Sequence, residues 1–252
     1  HPLRRPVAAP PRGRARGPLR GVAVAAVGRL LGALARGGAD IALPTSCPGC
    51  GAWDVDLCPQ CRALARRECV WSVLEAPGAP GGVDLCALGA YEGALCRLVL
   101  AAKHSPRRDL APFLAECGEG LGAALAGRFH SEGDRPAWDE IWVVPAPSSW
   151  RRRLRSRPVT APLAAGVASA LASLGACRRA SAVDCVRLAL GARSQSGKSG
   201  AARRAGRAGS MRALAGAPPD AGVVVVDDVV TTGATMREVI RVLGGCDAVA
   251  AV

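Results

Sequence analysis

The chain has 252 residues, half of them apolar but only 3% aromatic, and a formal charge of +13. That length suits one α/β domain with small appendages, and no apolar run approaches the ~20 residues a transmembrane helix requires. The charge is nearly all arginine, Lys103 and Lys198 being the only lysines. A basic surface attracts phosphates, which keeps both nucleic acid and a polyanionic small molecule open as partners.

Residues 1–20 are rich in Pro, Arg, Gly and Ala without apolar periodicity, the composition of a disordered tail. Its arginines followed by Gly21–Gly28 resemble a secretory signal, but Arg29 and Arg36 interrupt the apolar stretch and no small-residue cleavage site follows. Residues 21–36 space Val22, Val27, Leu30, Leu31 and Leu34 as a short amphipathic helix. With so few aromatics, the core must be built from Ala, Val and Leu.

Cys47-Pro-Gly-Cys50 and Cys58-Pro-Gln-Cys61 are two C-x₂-C pairs, and the other seven cysteines are scattered singly. Two such pairs can close on one tetrahedral ion, and four thiolates favour a structural Zn²⁺. Free buried thiols or a redox pair are the alternatives. Cysteine usage of this kind suits a reducing, cytoplasmic compartment.

Val73–Gly82 holds prolines and glycine pairs and reads as a linker. Beyond it, helices are expected at Glu92–Ala102, Leu110–Leu125, Val159–Leu174 and Ala234–Leu243. Strands are expected at Glu140–Val144, Ala182–Leu188, Gly222–Val226 and Asp247–Val252, with a loop over Gly191–Gly209. His130 falls in a polar turn. Alternating strands and helices imply an α/β fold with a parallel sheet. The expected domains are a basic tail with a short helix (1–38), a zinc knuckle (39–75) and an α/β domain (84–252).

The string Val223–Thr235, VVVVDDVVTTGAT, carries the chemistry. Four consecutive valines are apolar on both faces, as in the centre of a parallel sheet, and ligands bind beyond the carboxyl ends of such strands. Asp227 and Asp228 stand there, two adjacent carboxylates suited to a pair of ribose hydroxyls, with Mg²⁺ nearby adding attraction. Val230, Thr231, Thr232, Gly233, Ala234 and Thr235 then offer backbone N–H groups, hydroxyls and a helix N-terminus to one phosphate. An acidic strand end followed by an ordinary N-cap is the simpler alternative. Gly191–Ser199 approaches a nucleotide-binding P-loop, but five residues rather than four separate Gly191 from Gly197-Lys198.

The thirteen-residue string resembles the phosphoribosyl pyrophosphate (PRPP) motif of type I phosphoribosyltransferases. Together with the cysteine pairs, it makes the chain similar to the ComF family of competence-associated phosphoribosyltransferase homologues. Tyr91–His104, Val143–Pro147, and Gln195-x-Gly197 with Arg203 resemble further segments of that family. Arg155-Ser156, Lys198 and Gly206 depart from its usual Arg-Gly, Leu and Asn. The resemblance implies a type I phosphoribosyltransferase fold with an N-terminal zinc finger, PRPP and Mg²⁺ as ligands, and Lys103, Arg155, Gln195 and Arg203 as candidate pyrophosphate contacts. It identifies neither a nucleophile nor a base. The alternative it suggests is a non-catalytic DNA-uptake accessory that binds single-stranded DNA or competence proteins through arginines such as Arg151–Arg153. Scarce aromatics weigh against that, since single-strand binders stack bases on exposed rings.

Overall fold

The two central strands of the sheet, Gly222–Asp227 and Ala248–Ala251, carry one polar side chain between them. A computed structural model describes residues 45–105, 108–131, 138–147, 159–189 and 209–252. In it β1 (Val70–Ala76), β2 (Ala79–Ala87), β3 (Trp138–Pro145), β4 (Cys177–Ala182), β7 (Gly222–Asp227) and β8 (Ala248–Ala251) form a six-stranded sheet. Its order is β1-β2-β8-β7-β3-β4. All neighbours are parallel except the β1–β2 hairpin. The short strands β5 (Val186–Leu188) and β6 (Met211–Ala213) pair separately as an antiparallel ribbon. The helices are α1 (Pro59–Ala63), α2 (Gly93–His104), α3 (Ala111–Ser131), α4 (Thr160–Ser173) and α5 (Ala234–Leu243). Residues Ser46–Val252 cluster as one unit.

The period-two alternation of β7 divides the core. Val224 and Val226 face a layer formed by α2, α3 and α4, whereas Val223 and Val225 face Met236, Val239 and Ile240 of α5. Strand burial on both faces is what four successive valines demand. On the first layer, small residues replace the missing aromatics. A Cβ at Gly118 of α3 would lie 2.1 Å from the Leu163 carbonyl oxygen of α4, and one at Gly166 would lie 2.1 Å from that of Ala115. The two helices therefore approach at backbone distance. Gly222 yields in the same way to the Trp138 ring, which meets Phe129 edge-on at 5.0 Å.

Several local expectations change. Val73–Gly82 is not a linker: it spans most of the β1–β2 hairpin. Pro77 and Gly78 (φ 79°) form its turn, with Ala76 opposite Ala79, the Pro-then-Gly signature of a type II turn. Ala182–Leu188 is not one strand, because Val183–Cys185 separates β4 from β5. Helix α3 runs on to Ser131, so His130 is helical rather than in a turn. Helix α5 has its expected limits.

Candidate phosphoribosyl site and cysteine centre

The central strands leave the sheet in opposite directions. From β3 the chain passes through α4 to β4 on one side, and from β7 through α5 to β8 on the other. The crevice between β3 and β7 is thus the topological switch point, where open α/β sheets bind ligands. Ala146, just after β3, donates its N–H to the Val226 carbonyl at 2.7 Å and accepts from the buried Thr160 hydroxyl at 3.5 Å. These bonds hold the first wall of the crevice.

The second wall is the β7–α5 loop. Asp227 ends β7 opposite Ala251 of β8, and the Asp228 N–H donates to its carboxylate at 2.8 Å. Withdrawal from solvent, reinforced by the Asp228 charge, pushes the Asp227 carboxyl up to about 8. Asp228 is ion-paired with Lys103, whose Nζ lies 2.7 Å from its Oδ2. Lys103 reaches it from the last turn of α2, a helix anchored by Leu95, Leu98 and Val99. Tyr91 precedes that helix. Burial, a hydrogen bond with Cys96 and the Asp228 charge push its hydroxyl up to about 12.

Asp227 and residues 229–236 line a small cleft of about 100 Å³. Gly233 caps α5 with φ 68°, the left-handed region that glycine enters without strain. Its backbone fits closely: a Cβ would lie 2.5 Å from Leu74 of β1. Arg237, one turn on, donates to the Thr232 carbonyl and, at 3.4 Å, to that of Glu75 in β1. The first N–H groups of α5 have no intrahelical acceptor, so the cleft combines a positive helix end with orphan donors. That combination suits a phosphate.

Sequence reasoning missed Leu74, Glu75 and Arg237, and gave Tyr91 only as part of a family-like segment. Arg237 alone had a local signal, its i+4 spacing from Gly233. Lys103, a candidate pyrophosphate contact, stands against Asp228. Arg155, Gln195, Arg203 and the near-P-loop of 191–199 lie outside the described residues, as do the arginines of 4–20 and 151–157.

The four cysteines come together. The sulfurs of Cys47, Cys50, Cys58 and Cys61 all lie within 4.8 Å of one another, close to the ~3.8 Å sulfur separation around a tetrahedral zinc. Glycine is needed between them, since a Cβ at Gly49 would lie 2.5 Å from the Cys61 sulfur. Burial would raise the Cys47 thiol, but hydrogen bonds from the backbone of Cys58, Cys50 and Gly49 bring it down to about 6. Burial and neighbouring thiols push Cys61 up. The donor set, its spacing and its enclosure fit a structural zinc ion. The knuckle is tied to the sheet domain by Arg97 donating to the Gly49 carbonyl at 2.6 Å and by Arg62 forking onto Glu116 at 2.9 and 3.0 Å.

The domain is thus a mostly parallel sheet flanked by helices, with an acidic pair and a helix N-terminus at its switch point. Residues 161–251 match the family model of the phosphoribosyl transferase domain. That span runs from α4 through β8 and includes the whole acidic and threonine-rich loop. No curated protein matches the chain. Among the described residues, no helix is long and apolar enough to cross a membrane.

Proposed function

We infer that this chain is a ComF-like protein that recognises PRPP. In this reading Asp227 and Asp228 accept hydrogen bonds from the two ribose hydroxyls. The amides and hydroxyls of Val230–Thr235 receive the 5′-phosphate, with Gly233 giving the turn its left-handed residue. The observation that carries the reading is the β7–α5 loop itself. It lies at the switch point of the sheet, inside the matched domain, and joins paired carboxylates to a helix N-terminus.

The aspartate pair of the ligand-free protein is poorly suited to a resident divalent cation, because Asp228 already holds Lys103 and the Asp227 carboxyl is pushed up to about 8. Mg²⁺ therefore belongs with the pyrophosphate of the ligand. There it would neutralise the charge of the pyrophosphate. The protein's own residues position the sugar and its phosphate. The cysteine centre takes zinc as a structural ion.

Calorimetry with PRPP and Mg²⁺ tests the reading. Full-length protein should bind at sub-millimolar ligand, ribose 5-phosphate should compete, and ATP should compete poorly. A charge-assisted hydrogen bond contributes roughly 1.5–3 kcal/mol, so changing both aspartates to Asn, which removes at least the one on Asp228, should weaken PRPP at least about tenfold. Well-folded protein that fails to bind millimolar PRPP would refute it.

A further inference from the structure

Lys103 is the sole lysine among the described residues, and its ammonium lies 2.7 Å from Asp228 with the two side chains only 14% and 15% exposed. An exposed pair of this kind contributes little and separates readily. Here both ends are largely out of water, and separation would leave the partly buried Asp228 carboxylate without its charge partner. The helix that carries Lys103 is held in the core by Leu95, Leu98 and Val99. The same helix is fastened to the cysteine knuckle through Arg97. The lysine is therefore delivered to the aspartate pair by a fixed element.

A metal ion on that pair would have to displace the ammonium. A ribose hydroxyl would not, since a carboxylate has lone pairs for several donors. We propose that Lys103 is a positioning residue, the resident counter-ion of the Asp227–Asp228 pair. The ribose end of the site then takes a phosphoribosyl group without any divalent cation, and a divalent cation enters only on a ligand's pyrophosphate. The ribose half of this proposal rests on the phosphoribosyl reading above; the counter-ion half does not.

Two measurements on the full-length, zinc-loaded chain test it. The first titrates Mn²⁺ alone into ligand-free protein and follows free Mn²⁺ by electron paramagnetic resonance. Mn²⁺ prefers carboxylates to the thiolates of the cysteine centre. Lys103→Met, which keeps length and removes charge, should bind Mn²⁺ about tenfold more tightly than wild type, as loss of one charge-assisted contact implies. Lys103→Arg should behave as wild type, and adding Asp228→Asn to Lys103→Met should remove the gain. A purely structural lysine would change the melting temperature without this gain.

The second measurement needs no variant. Ribose 5-phosphate should bind the wild type in metal-depleted buffer within about twofold of its affinity with added Mg²⁺, a free-energy difference below 1 kcal/mol. Unchanged Mn²⁺ affinity in folded Lys103→Met overturns the counter-ion role. Wild-type binding of ribose 5-phosphate that requires Mg²⁺ overturns the ribose half. If Lys103→Met does not fold, Lys103→Gln takes its place in the Mn²⁺ comparison and the same outcomes decide. If ribose 5-phosphate binds under neither condition, the phosphoribosyl reading falls and the ribose half with it, and the Mn²⁺ comparison decides the counter-ion half.

Discussion

Asp227 ends a fully apolar strand half-buried at the edge of the cleft, and this gives the protein a pH dependence of definite sign. Its folded value is raised from the ordinary 3.8 to about 8, so between those limits the folded state holds a proton that the unfolded state has released. Stability from this group is complete below about pH 4 and is lost as pH rises through 8. Asp227→Asn should therefore flatten the decline in urea midpoint between pH 5 and 8, with a difference on the order of a few kcal/mol at the upper end. An unchanged slope would show that Asp227 is ionised throughout. Gly233 is constrained in two ways, by φ 68° and by Leu74 beneath it. Gly233→Val should lower PRPP affinity at least about tenfold, because a left-handed L-residue costs roughly 1–2 kcal/mol before any clash is counted. The crowding falls on Leu74, so combining Gly233→Ala with Leu74→Ala should recover thermal stability lost to contact but not that lost to backbone strain.

Helices α3 and α4 pack through glycine where other α/β cores interlock larger side chains. A methyl at Gly166 would meet the Ala115 carbonyl oxygen at 2.1 Å, and that atom belongs to backbone that cannot rotate away. Gly166→Ala should destabilise the protein by about 1–3 kcal/mol, the usual cost of overpacking, even though alanine is the better helix former. Chemical denaturation measures this, and a neutral result would mean that the helices can separate without loss. In α5, Glu238 is 4% exposed. It accepts from the Met211 N–H at 3.3 Å and from both arms of Arg241 at 2.8 and 2.9 Å. The first of these bonds ties α5 to the β5–β6 ribbon.

Across the whole Ser46–Val252 unit, the cysteine centre is continuous with the sheet domain. Cys47, Cys58 and Cys61 belong to the same core cluster as Leu98, Cys117 and Val226. Purified protein should carry about one zinc per chain, and its removal should be felt beyond the knuckle. Metal that holds only the folded state adds to stability by mass action, so chelation should lower the melting temperature of the main transition. Cys50→Ser should do the same, and Gly49→Ala should loosen the metal through the Cys61 sulfur. Metal-free native protein with four freely titratable thiols would refute the assignment.

The parallel sheet, helix α5 with its limits, the acidic and threonine-rich loop and the pairing of the cysteines were all readable from residue order. Each is a local pattern: period-two burial in VVVV, a helix N-terminus after small residues, and two C-x₂-C turns. The hairpin Val70–Ala87 was hidden because Pro77-Gly78 and Pro80-Gly81-Gly82 have the composition of a linker. Only β8, which pairs with Asp84–Ala87, makes that segment a strand of the sheet. The placement of Lys103 on Asp228, of Leu74 under Gly233 and of α3 against Gly166 likewise joins segments far apart in the chain. No local pattern selects such partners. They are chosen by which elements the packed core brings together, so residue order determined what this site is made of and the tertiary structure decided what surrounds it.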